Sequence, residues 1–312
     1  MSLQTVYKPE GYLSETAANR QNMRSAAALR EAFEQGKILE GRATVCDAAH
    51  NLTVDLGCMR GIIPRTECAL GIEENSTRDI AILSRVNKPV VFVITGFEER
   101  AGETVAILSR RQVQQACMEQ FVNRLRPGDV IDCRITHMEQ FGAFADIGCG
   151  IASLMPIDRI SVSRISHPSD RFRNGDKIRA VVCGIDRETG RITLSQRELF
   201  GTWEENAARF TAGETVAGII RSVEPYGVFV ELTPNLAGLA EPREGVRAGQ
   251  HASVYIKNLI PEKMKVKLII VDAFDADYCA VLPPYVCRAD HISRFRYSPE
   301  GCEKVMETVF DE

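Results

Sequence analysis

The sequence predicts a mainly β chain: a tandem array of three small five-stranded barrels, joined by helical linkers and preceded by an N-terminal helix. The first observation is a threefold internal repeat. Segments Gly36 to Pro64, Gly128 to Pro156 and Gly213 to Pro242 align, with glycine-to-proline spacings of 28, 28 and 29. Each holds a Val/Ile-rich run, a turn-prone stretch and a second alternating run that ends on an acidic residue: Asp55, Asp146 or Glu231. Alternation of β-branched and aromatic residues with polar ones is a strand signal. The second observation is a further strand pair after each segment. These are PVVFVITGFEE and TVAILSRR around RAGE, KIRAVVCGID and RITLSQRE around RETG, and ASVYIKNLI and KVKLIIVD around PEKM. The third is an amphipathic stretch before the second and third repeats.

Five short strands per repeat suit a closed barrel of the OB type. The boundaries follow: an N-terminal helical extension over 1–35, a degenerate repeat over 36–111, a linker helix over 112–126, a repeat over 127–198, a linker helix over 199–212, a repeat over 213–275 and a tail over 276–312. The Ala-rich stretch 12–35 reads as one helix, with Ser14 as N-cap and Gly36 as stop. In the first linker Val113, Cys117, Phe121 and Leu125 form one stripe, ended by Pro127 and Gly128. The second linker carries the one tryptophan, Trp203, expected where the linker meets a barrel. In the tail, Pro283 and Pro284 read as loop and PEGCEKVMETVF as a short amphipathic helix.

Composition excludes several classes. Hydrophobic residues are 45% and charged residues 26% of 312, enough for two or three ordinary cores. No run approaches the ~20 apolar residues of a membrane span, and the first residues hold no signal-like run, so a cytoplasmic protein with no membrane partner is expected. The ten cysteines are scattered without a C-x-x-C pair and read as reduced thiols. Cys279, Cys287, His291 and Cys302 are too loosely spaced for a structural zinc, so no metal is expected. No P-loop, H-E-x-x-H or G-x-S-x-G occurs; neither catalysis, a cofactor nor a small-molecule substrate is expected. Net charge is −4, so any nucleic-acid surface must be local.

The local feature is a repeated aromatic-Gly-x-aromatic element: Phe141 and Phe144 around Gly142, Tyr226 and Phe229 around Gly227. In a flat strand, positions i and i+3 face opposite sides. A bulge at the glycine would bring both rings to one face, as a platform for stacked bases. The other reading is that the rings fill the barrel. Cations tip the balance toward an outward platform: Lys177, Arg179 and Arg191 in the second repeat, and Lys257, Lys263, Lys265 and Lys267 in the third. Asp186 is expected to orient Arg191 or cap the turn rather than meet phosphate.

These stretches, QFGAFADIGCGIASLMP with RNGDKIRAVVCGIDRETGRITLSQRE and GETVAGIIRSVEPYGVFVELTPNLAGLAE, resemble the RNA-binding OB repeats of bacterial ribosomal protein S1. The similarity spans about 36–275 as three copies, strongest in the second and weakest in the first. The linker GTWEENAARF is similar to S1-like proteins of Gram-positive anaerobes. The resemblance implies an RNA face of two hairpin aromatics, a third-strand residue, and an Asp and Arg at the final turn. The second repeat matches with Phe141, Phe144, Asp186 and Arg191 but has Pro156 at the third-strand position. The third matches with Tyr226 and Phe229, with Glu241, Ile260 and Lys265 at the others and a short PREGVRAGQ connection. The first has His50, Thr53 and Val105 there, and is expected to be structural or to dock a protein. The implied function is sequence-tolerant binding of single-stranded messenger RNA at the small ribosomal subunit. The competing expectation is a protein scaffold, or a regulatory, ribosome-silencing RNA binder, docking through the first repeat and the tail.

Overall fold

The computed structural model describes residues 6–100, 102–276 and 284–310; Cys279 and Pro283 lie outside them. Three closed five-stranded barrels follow one another. The first is β1 (Leu39–Cys46), β2 (Leu52–Asp55), β3 (Arg60–Ile63), β4 (Pro89–Arg100) and β5 (Glu103–Ser109). The second is β6 (Val130–Glu139), β7 (Gly142–Gly148), β8 (Ile151–Pro156), β9 (Lys177–Asp186) and β10 (Arg191–Ser195). The third is β11 (Thr215–Glu224), β12 (Gly227–Thr233), β13 (Leu236–Ala240), β14 (His251–Ile260) and β15 (Lys265–Phe274). In each, the third and fifth strands run parallel, as in β3–β5, β8–β10 and β13–β15. This is the OB topology expected from the repeat. Alternation is visible in β15, where Val266, Leu268 and Ile270 are buried and Lys265, Lys267 and Ile269 exposed.

The N-terminal segment departs from the single helix expected. It forms α1 (Ala17–Met23) and α2 (Ala26–Glu34), capped by Thr16 and Ser25, whose side chains accept from Asn19 and Ala28 N–H. Ser25 in extended backbone interrupts the helix, because a serine oxygen satisfies the free N–H groups of a new first turn. Ser14 is not a cap; its N–H and hydroxyl donate to Glu40 at 2.5 and 2.7 Å. Gly36 does end α2, at φ +59°. Three more helices are short or lie in connections: α3 (Ile80–Leu83), α4 (Arg111–Gln120) and α5 (Ile157–Ile160). Val113, Cys117, Phe121 and Leu125 are all buried, as their stripe predicts. The second linker is a 3₁₀ turn over Arg197–Phe200 and α6 (Trp203–Ala207), with Trp203 in the core of the third barrel.

By contacts the chain forms two units: 1–125 with 132–134 and 146–152, and 126–131 with 135–145 and 153–312. The first unit is tied by a buried carboxylate. Both Glu10 oxygens meet the guanidinium of Arg110, at 2.6 and 3.1 Å, and both residues are 3% exposed. Arg85 adds a contact at 3.3 Å, and Arg134 donates to the Glu10 carbonyl at 2.7 Å. Burial alone would raise the Glu10 carboxyl; Arg110 and Arg85 outweigh it and hold it below the usual range. Asp146 accepts the Glu10 N–H at 2.7 Å and the Gly148 N–H at 2.8 Å. Burial, with the Glu10 charge adding, pushes its carboxyl up to about 7.

In the second unit Glu231 holds two arginines, Arg171 at 2.5 Å and Arg221 at 2.7 Å, all three largely buried. The tail is the main surprise. The stretch expected as a helix is a hairpin strand, β17 (Glu307–Val309), paired with β16 (Arg294–Arg296). Its backbone joins the second barrel through Ile292 N–H to Gly128 O and Val130 N–H to Asp290 O. It joins the third through the Tyr297 hydroxyl, which donates to Asn235 O, and Trp203 N–H, which donates to Tyr297 O at 3.0 Å. Among the described residues no helix is long and apolar enough to cross a membrane.

Two expectations follow. An Asp146 pKa raised from 3.8 means that the folded state holds the proton more tightly than the unfolded. Stability from this group is therefore full at low pH and falls as pH rises from about 4 through about 7. Glu10 works oppositely, but only where acid reaches its depressed pKa. Hydrogen exchange at residues 7–12, corrected for intrinsic rates, should be slower at about pH 6 than at about pH 8. The difference should vanish in Asp146→Asn. Glu231→Gln leaves two guanidinium groups buried without their carboxylate and should cost about 3–5 kcal/mol in a denaturant titration.

Candidate nucleic-acid interface

Both aromatic pairs sit at the hairpin between the first two strands of their barrels. Phe141 and Tyr226 occupy the turns and are 57% and 65% exposed. Phe144 and Phe229 stand two residues inside β7 and β12 and are half-buried. The ring centroids are 6.0 Å apart in the second barrel and 6.2 Å in the third, at 89° and 86°. The two elements are thus the same object, built twice, and the inner ring holds the outer by edge-to-face contact.

The glycine acts differently from the bulge expected. In the third barrel Ile220 faces Val230 and Ser222 faces Phe229, so the extra residue is Arg221 on β11, not Gly227. That bulge turns Arg221 toward Glu231. The rings share a face because the first lies in the turn. Glycine is required by close approach: a Cβ on Gly142 would lie 2.5 Å from Met155 O, and one on Gly227 2.5 Å from Ala240 O and 2.8 Å from a Leu239 methyl. The third strand's backbone crosses directly over this position.

The register aligns the two faces. Gly142 lies against Leu154 as Gly227 lies against Leu239. Leu154 faces Thr193, and Leu239 faces Lys267. Thr193 thus stands where the third barrel has Lys267, and Arg191 where it has Lys265. The third barrel's face is an open groove of about 580 Å³, lined by Tyr226, Phe229, Leu239, Lys257, Lys265 and Lys267. Phe229, Leu239 and Lys267 form one rung across β12, β13 and β15. Lys257 lies 3.6 Å from Glu241.

In the second barrel the cations scatter. Arg191 is exposed and pairs across the turn with Asp186. Asp186 caps that turn, accepting the Glu188 N–H at 3.0 Å and the Thr189 hydroxyl at 2.5 Å. Those hydrogen bonds, the Thr189 hydroxyl first, hold its carboxyl below the usual range. Lys177 stands at the far end of β9, about 30 Å along the strand from Asp186. Arg179 is taken by the tail: it donates to Ala289 O at 2.9 Å and meets Asp290 at 3.2 Å. A third ring escaped the sequence reading. His137 stacks on Phe144 at 6.2 Å and 23°, with its Nε2 2.6 Å from Glu139. Its signal was cross-strand position, invisible without the register.

The first barrel lacks the platform. His50, at φ +62°, lies 3.8 Å from Asp79, and Asp79 is clamped by Arg65 at 2.8 Å. Thr53 offers no ring, and Val105 is buried. Among the described residues no cluster of three or more His, Cys, Asp or Glu is arranged for a metal.

Residues 124–197 match the family described as S1 RNA binding domain. The small ribosomal subunit protein bS1 of Rhizobium meliloti is 27% identical over 84% of this chain and 48% of its own length. The bS1 homolog of Bacillus cereus is 28% identical over 79% of this chain and 66% of its own. The chain thus spans about half to two thirds of these curated relatives. Among solved structures, a multidomain protein with nucleic acid binding domains from Streptococcus pneumoniae aligns over 76% of this chain and 74% of its own, at 13% identity and a TM-score of 0.25.

The steric role of the glycine is directly testable. Gly142→Ala and Gly227→Ala should each cost about 1–3 kcal/mol. Gly184→Ala, where a Cβ meets nothing within 4 Å, should stay within about 1 kcal/mol of the parent in the same thermal melts.

Proposed function

We propose that this chain, an S1-like protein of tandem OB barrels, binds single-stranded RNA with little sequence preference and acts on messenger RNA at the small ribosomal subunit. The observation that carries the reading is the repeated edge-to-face pair, each with an outward ring, and in the third barrel beside three lysines. An aromatic face stacks any base, because every base has a π face, and a cationic groove follows phosphates without reading sequence. The third barrel is the stronger binder on this reading, since its groove keeps Lys265 and Lys267 where the second has Arg191 and Thr193. The second contributes its three rings. An overall charge of −4 is compatible, because phosphate attraction acts within about 10 Å at ordinary salt. The likeness to bS1 proteins supports the placement at the ribosome, and the protein acts as a binder rather than a catalyst.

Fluorescence anisotropy with a labelled oligouridylate tests the binding. Phe141→Ala with Phe144→Ala, and Tyr226→Ala with Phe229→Ala, should each lose about 1–3 kcal/mol per stacked base, with circular dichroism unchanged. The third-barrel pair should lose more. Parent affinity should fall linearly on a log–log plot against salt. Unchanged affinity in both double variants would refute the platform. Co-sedimentation with small subunits, with and without messenger RNA, tests the setting.

A further inference from the structure

A second cleft, of about 360 Å³, adjoins the groove of the third barrel. The two share Ala237, Met264 and Lys265 in their walls. Met264, in the left-handed region at φ +48°, stands between them. The cleft continues past Lys263 to Lys304 and Met306 of the tail, over the rings of Trp203 and Tyr297. All these residues belong to one unit.

Its chemistry is one-sided. Three lysines line it and no carboxylate does. Lys263, Lys265 and Lys304 are exposed, and none makes an ion pair among the described residues. Lys257 in the neighbouring groove, by contrast, faces Glu241 at 3.6 Å. The floor carries a further unspent donor. The Trp203 indole N–H is buried and has no acceptor among the described residues, although the residue is 2% exposed. A concave site with three free ammonium groups and an aromatic floor fits a polyanion with flat groups attached.

We propose that this cleft extends the nucleic-acid path: the phosphate backbone of a single RNA strand leaving the Tyr226–Phe229 groove passes Lys265 and is held by Lys263 and by Lys304 of the tail. The inference rests on the RNA-binding reading of that groove, and adds the tail as a nucleic-acid contact. It makes the bound length greater than the third barrel's own face can hold.

The test uses the full chain and two oligouridylates, of about 4 and about 12 nucleotides, within the range of OB site sizes. Trp203 is the only tryptophan, so its emission reports on the cleft alone. The longer strand should change that emission and the shorter should not. Lys263→Ala with Lys304→Ala should weaken the longer strand about five-fold, leave the shorter unchanged, and lower the salt slope by about 1.4, two contacts at about 0.7 each for single strands. If the lysine variant binds the longer strand with parent affinity and slope while Tyr226→Ala with Phe229→Ala loses binding, the cleft is refuted and the groove stands. If the aromatic variant binds both strands as the parent does, the groove reading fails and takes this proposal with it.

Discussion

The second and third barrels depend on one close approach. Where their third strand crosses the first hairpin, its carbonyl would lie 2.5 Å from any Cβ, so the hairpin must carry a hydrogen there. Everything outward follows from that contact. The turn residue before the glycine cannot enter the strand ladder, so its ring stands proud of the barrel. The residue two places after the glycine, on the same face, becomes its support. The first barrel solves the same crossing differently. Asn51 occupies the glycine's place, and its side-chain oxygen accepts the Arg65 N–H at 3.0 Å. In the second barrel the corresponding donor, Ile157 N–H, reaches the Phe141 carbonyl instead. The same crossing is therefore bonded through a side chain in the first barrel and through backbone in the second, while the third has Pro242, without an N–H, at that place.

A second repeated position shows the same economy. The acidic residue closing the second strand is Asp55, Asp146 or Glu231. Asp55 only accepts a turn N–H, from Gly57 at 2.8 Å. Asp146 accepts such an N–H too, but also anchors the N-terminal segment. Glu231 clamps two arginines, one of them from the connection after α5 of the preceding repeat. A strand end at a barrel rim is sheltered yet reachable. A carboxylate there can serve whatever neighbouring segment brings a donor.

Much of this was legible. Strand pairs stood out because alternation and turn residues agree over five to ten positions, and the stripe Val113, Cys117, Phe121 and Leu125 marked a buried face, although α4 ends at Gln120 and the last two lie beyond it. The equivalence of Arg191 with Lys265 and of Val105 with both was readable from spacing, and the register bears it out. Three things were not readable. The tail hairpin has three-residue strands, too short for any period, and its pattern imitates a helix. The Glu10–Arg110 pair joins residues 100 positions apart, and no local rule links them. The glycine's role is not readable because glycine marks both bulges and close approaches, and only the strand register separates the two.

The segment that ties the second barrel to the third is made after both of them. Until residues 284–310 emerge during synthesis, Val130, Val181 and Leu199 lack Ile292 and Phe310, and Trp203 lacks Tyr297. Translation at about 5–20 residues per second leaves those apolar faces uncovered for seconds. Each barrel already has its five strands by then, so the hazard is not misfolding within a barrel. It is capture of an open face by another chain, and the tail's arrival closes that window.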